Sequence, residues 1–138
     1  MAEYSVVGKS LPRVEGPTKA TGASRFTGDM SLPRQLYGRA LGSPHAHARI
    51  LAIDTRRAER LAGIKAIVTG SDTGGRKYGH TPDMADQYPL AVGKVRFIGE
   101  PVAAVAAVDE DTAQEALDLI SVEYEALPDV FDPREAMR

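Results

Sequence analysis

Cysteine is absent from this chain of 138 residues, and so is tryptophan. Without cysteine the chain forms no disulfide, supplies no thiolate nucleophile and holds no cysteine-ligated iron–sulfur cluster or zinc. Aromatic residues make up only 6% of the sequence, which weakens any base-stacking role. Excess positive charge is lacking as well. Seventeen Lys and Arg stand against 19 Asp and Glu, a net charge of −2, so no basic field draws nucleic acid or an anionic membrane. The longest apolar run, Pro101 to Val108, falls far short of the ~18 residues a membrane helix needs. The start, MAEYSVVGKSLPRVEG, has no apolar segment of the secretory kind, and a reduced cytoplasm is the expected compartment. What is present, 43% apolar and 26% charged residues, suits one globular domain with a real core.

Along the chain the pattern sharpens from the N-terminus onward. In residues 1–34, Pro12, Pro17 and Pro33 alternate with Gly8, Gly16, Gly22 and Gly28, which predicts an extended arm with short strands. Residues 35–138 read as a single domain. QLYGRAL and ARILAID alternate as strands, Asp54 offers a helix N-cap, and Ala58, Leu61 and Ala62 share one side of a short helix. Gly63 follows as a stop, and IKAIVTG is β-branched enough for another strand. Residues 70–90, rich in glycine and proline, read as a long loop. PVAAVAAV is a strand covered on both faces, and Asp109 caps a helix with a buried stripe of Ala113, Ala116, Leu117 and Ile120. SVEYEAL then returns as a strand. Strand–helix–strand thus occurs twice, at 48–69 and 101–126. That repeat predicts an α+β fold with a mixed sheet and two right-handed parallel crossovers.

Reactive-looking pieces are few. GKS at 8–10 has the end of a phosphate loop, but the glycine required five residues earlier is Glu3. TGSDTGGRKYG lacks the glycine spacing of a dinucleotide site. No serine–histidine–aspartate order and no paired carboxylates stand in a shaped context. SPHAHARI places His45 and His47 two residues apart, on one face if that stretch is extended, where two imidazoles can meet a metal. A third ligand, His80 or Asp83, would have to come from the 70–90 loop. Against this, Pro44 forces Ser43 to be extended, and the histidines can simply donate the hydrogen bonds that fix a turn. Gly99-Glu100-Pro101 separates two apolar runs. Its acid either serves a site at the mouth of a buried strand or caps neighbouring amides.

Two long runs together carry a resemblance. KATGASRFTGDMSLPRQLYGRALGSPHAHARILAID, then AIVTGSD and KVRFIGEPVAAVAAVDEDTAQEALDLISVEYEALP, resemble in the same order the large, molybdenum-binding subunit of the xanthine dehydrogenase and aldehyde oxidase family. They correspond to its α/β hammerhead domain. SPHAHARILAID and QYPLAVGKVRFIGEPVAAVAAVDE are most similar to the 4-hydroxybenzoyl-CoA reductase branch. The resemblance implies molybdopterin and a catalytic glutamate in following domains, Fe–S clusters on a separate subunit or segment, and in some members an FAD subunit. It implies no catalytic, cofactor or metal residue in this chain. Ser43, Pro44, His45, His47, Gly99, Glu100 and Pro101 become candidate interface residues toward the molybdenum domain and the Fe–S partner. Two other readings compete. One is a stand-alone metal enzyme built on the two histidines; the other is a small-molecule binder with the 70–90 loop as lid.

Overall fold

Small residues set the architecture, because the strand built from them can be covered on both sides. The computed structural model describes residues 4–137, which fall in two compact units, Met1–Pro33 and Arg34–Arg138. Among the described residues of the first unit there is no strand. It holds helix α1 (Gly16–Ala20), started by a proline in its first turn, and a 3₁₀ turn at Thr27–Asp29. The expected short strands of the arm are therefore replaced by helical turns. The reason is local: Pro17 favours a helix start, and the Asp29 carboxylate accepts the Phe26 N–H at 2.9 Å.

The second unit carries strands β1 (Tyr37–Gly42) and β2 (Ala48–Asp54), helix α2 (Arg56–Glu59), and strands β3 (Ile64–Thr69), β4 (Lys94–Val95) and β5 (Pro101–Ala107). Helix α3 (Glu110–Leu119), strand β6 (Ser121–Ala126) and helix α4 (Pro133–Ala136) complete it. The strands form two three-stranded sheets, ordered β1-β5-β3 and β4-β2-β6. All their pairings are antiparallel.

Helices and sheets confirm the α+β class, but the mixed sheet and the parallel crossovers do not form. Each strand–helix–strand unit sends its two strands to different sheets: β2 and β3 part, and so do β5 and β6. The reason is length in the first unit. Nine residues separate Asp54 from Ile64, whereas a crossover that returns to the same sheet takes about a dozen or more. In the second unit, β6 is drawn away by pairing with β2, where Arg49 lies opposite Glu125 with a 2.7 Å ion pair.

Two apolar clusters result, one on each face of β5. Ala103 and Val105 pack with Ala58, Ala116, Leu117 and Ile120 beneath α3. Val102 turns the other way, onto Ala48, Ala91 and Val95. The α3 stripe read from the sequence is the buried one, and Asp109 caps that helix through the Thr112 N–H at 2.7 Å. Asp54 also accepts a helix-start amide, that of Arg56 at 3.0 Å, although the helix boundary lies one residue later than expected.

These cap carboxylates make stability fall in acid. Hydrogen bonds from Arg56 hold Asp54 far below the ordinary carboxylate value, and the Thr69 and Thr112 groups lower Asp72 and Asp109 in the same way. A depressed folded-state value lends stability that is present above the unfolded-chain pKa, about 3.9, and disappears as pH falls through the folded value. Melting temperature should therefore drop between neutral pH and pH ~3, and Asp109→Ala should show a smaller drop because its cap is already gone. Thermal melts of the two proteins across that range, followed by circular dichroism, check this. Parallel curves would contradict it.

Candidate functional site

The two segments singled out by sequence meet in space. Beyond the last β1–β5 register pair, Gly42 opposite Pro101, the pairing is prolonged by two backbone bonds. Ser43 N–H donates to the Glu100 carbonyl at 3.0 Å, and Gly99 N–H donates to the Ser43 carbonyl at 2.7 Å. The backbones run so close that a Cβ on Gly42 would stand 3.0 Å from the Gly99 Cα. Glycine at position 42 is the sequence's answer to that approach.

Ser43 and Glu100, 2% and 7% exposed, are the two buried polar side chains among the described residues. Both have partners. Ser43 Oγ accepts the His45 N–H at 3.0 Å. One Glu100 oxygen accepts the Arg96 N–H, and the other lies 3.3 Å from the Arg96 guanidinium. Between them, residues 97–100 form a tight turn: Glu100 N–H donates to the Phe97 carbonyl at 3.2 Å. Gly99 has φ +85°, the positive angle a type II turn asks of its third residue. Glu100 thus caps amides, one of the two roles open to it. The turn it fixes leaves Phe97 and Ile98 at 57% and 66% exposure.

The histidines do not share a strand face. Residues 43–47 are a bent connection, and the two rings engage different partners. His45 packs edge-on against Tyr124, with centroids 4.9 Å apart. Burial pushes the Tyr124 phenol up, and a hydrogen bond with Ser43 pulls it the other way. His47 Nδ1 lies 2.7 Å from the Pro128 carbonyl, which can only accept, so the ring donates from Nδ1. Its backbone carbonyl takes the Leu127 N–H at 2.9 Å. Among the described residues no three His, Asp or Glu side chains converge as a metal ligand set, and neither His80 nor Asp83 completes one with these rings. Nothing in this arrangement fits molybdenum or an iron–sulfur cluster. Residues 70–90 are not structureless either: they hold 3₁₀ turns at Gly70–Thr73 and Pro82–Met84 and a bridge between Tyr78 and Gln87.

Sequence reasoning missed Phe97, Ile98 and Tyr124. RFI read as part of an apolar run, and such a run suggests burial; the signal against it was the glycine after it, which turns the chain at the surface. Chemically, the site offers an apolar turn tip braced by buried polar groups.

A family described as "Aldehyde oxidase and xanthine dehydrogenase, a/b hammerhead domain" matches residues 21–128. The 6-hydroxypseudooxynicotine dehydrogenase complex subunit gamma of Paenarthrobacter nicotinovorans is 37% identical over 95% of this chain and 18% of its own length. The carbon monoxide dehydrogenase large chain of Afipia carboxidovorans is 38% identical over 95% of this chain and 16% of its own. Quinoline 2-oxidoreductase from Pseudomonas putida 86 superposes with a TM-score of 0.86 at 35% identity, covering 98% of this chain and 18% of that one. The chain thus spans less than a fifth of the length of each of these three proteins.

Proposed function

This chain belongs to the aldehyde oxidase and xanthine dehydrogenase family as its a/b hammerhead domain, and from that premise we propose that it serves a molybdenum hydroxylase-type large subunit as a structural and interface module. In this reading molybdopterin binds in other domains of the large subunit, and Fe–S clusters sit on a partner subunit or domain, with FAD on a further subunit. The whole enzyme, in the cytoplasm, would hydroxylate an aldehyde or heteroaromatic substrate. The narrower form, reductive dehydroxylation in the 4-hydroxybenzoyl-CoA reductase branch, rests on the resemblance of the two quoted runs alone.

One observation supports the interface role above others. The turn 97–100 is over-determined by hydrogen bonds, yet it holds two large apolar side chains out in water. Rigidity before contact reduces the entropy lost on docking, so such a tip is suited to a partner's apolar pocket. Ser43, Gly99, Glu100 and Pro101 brace the tip; Pro44, His45 and His47 shape the segment beside it.

Co-purification tests this reading. The tagged chain should form a stoichiometric complex with a molybdopterin-binding large-subunit remainder and its Fe–S partner, and Ile98→Asp should reduce recovery several-fold. Absence of any complex with the unaltered chain would overturn it.

A further inference from the structure

Strand β4 fills only part of the space beside β2. It pairs Val95 with Ala48 and Lys94 with Arg49, and the Ile50 N–H then donates to the Gly93 carbonyl at 2.9 Å. There the pairing stops. Two residues earlier the Ala91 N–H donates to the Pro101 carbonyl at 2.7 Å, so residues 91–93 are crossing from one sheet to the other. Gly93, with φ +72°, makes the change of direction. Among the described residues, no backbone hydrogen bond reaches Leu51–Asp54 from the β4 side.

A cleft of about 540 Å³ lies along this stretch of β2. Consecutive residues, Ile50 to Ile53, line it, whereas the face of a strand contributes alternate ones, so the edge of β2 meets the cleft. Ile67, Thr69 and the turn after β3 form another wall. That turn is pressed against residues 91–92 at Gly70, which fixes the spacing of the walls. Open edges are usually guarded by lysine or proline. Here the edge carries Leu51, Ala52 and Ile53, with a bulge at Leu51 against β6. The charged side chains lining the cleft are Glu59 and Asp72, and no lysine or arginine lines it. An added strand would take backbone bonds from β2, set apolar side chains against Ile53 and Ile67, and be favoured by positive charge.

We propose that this cleft receives an extended, basic segment of a partner polypeptide, which adds to β2 as the strand that β4 leaves unfinished. Backbone bonds to Leu51–Asp54 supply the attachment, and lysine or arginine side chains meet Glu59 and Asp72. No residue lining the cleft belongs to the 97–100 turn, so this surface and the docking tip can fail independently.

An acetylated and amidated hexapeptide of alternating lysine and valine is the probe, titrated into the 138-residue chain. Saturable binding is expected, with amide exchange slowed within residues 51–54. N-methylation of every peptide residue removes the backbone donors and keeps the charge. It should weaken binding by roughly tenfold or more, and so should exchanging each lysine for glutamate. Val92→Lys adds a cation at a cleft residue that is already 39% exposed. It should weaken the lysine peptide by a similar factor and leave the melting temperature unchanged. Should that variant lose its fold, Glu59→Gln carries the test, since it keeps an oxygen for the Thr55 hydroxyl and should weaken binding severalfold. Absence of binding overturns the proposal. So does binding that N-methylation leaves intact, which is adherence by charge alone, or binding that leaves exchange at 51–54 unchanged. Self-association of the chain that the peptide displaces would put a second copy in the cleft and overturn it as well.

Discussion

Glu100→Ala should lower the stability of the chain by about 1–3 kcal/mol in urea denaturation, the usual cost of stripping a buried polar group of its partner. The buried carboxylate takes the Arg96 N–H and lies against the Arg96 guanidinium. The guanidinium is nearly half exposed, so solvent screens much of the ion pair and its share is small. The larger share comes from the backbone amide left without its acceptor, and from the turn that this bond anchors. Glu100→Gln keeps an oxygen for the Arg96 N–H and should lose distinctly less. The same Ala variant should also raise amide exchange at Phe97 and Ile98, because the brace beneath the tip is gone. If both variants unfold with the parent's midpoint, the brace is not what holds the turn.

Gly70→Ala should cost at least as much, roughly 1–3 kcal/mol or more. Gly70 is buried at the end of β3, and a Cβ there would lie 2.3 Å from the Ala91 carbonyl oxygen. That carbonyl belongs to backbone held in place, since the Ala91 N–H donates to Pro101 at 2.7 Å. Relief therefore requires moving the segment that covers Val102 in the second apolar cluster. Gly28→Ala is the matched control: its added Cβ meets nothing within 4 Å, and its φ is not positive. Thermal melts of the two variants should separate clearly, and coincident melts would contradict the close approach at Gly70.

Much of this fold is written in local pattern. ARILAID matches β2 residue for residue, PVAAVAAV runs one residue beyond β5, and the alanine–leucine stripe of α3 is the face that is buried. These succeed because periodicity and small-residue runs are set by which side meets the core. The partition into two sheets was not legible. Pairing partners are chosen by three-dimensional proximity, and the shortness of the α2 connection only gains meaning once β2 is seen beside β6. Two-residue β4 carries no periodic signal at all. At the site, SPHAHA and GEP were recognisable as unusual, but their meeting depends on the β1–β5 register. The two histidines looked like a pair because they are close in sequence. The bend at Pro44–Ala46 separates their roles, and composition gives no hint of it.

Turnover by the purified chain tests most directly whether it is scaffolding for a reaction centre housed elsewhere. Aldehydes and N-heteroaromatics would be assayed with an artificial electron acceptor, first with the 138-residue chain alone and then with the assembled large subunit and Fe–S partner. No turnover is expected from the chain alone, with activity appearing only on assembly. Steady turnover by the lone chain, lost on His47→Ala, would contradict the account outright.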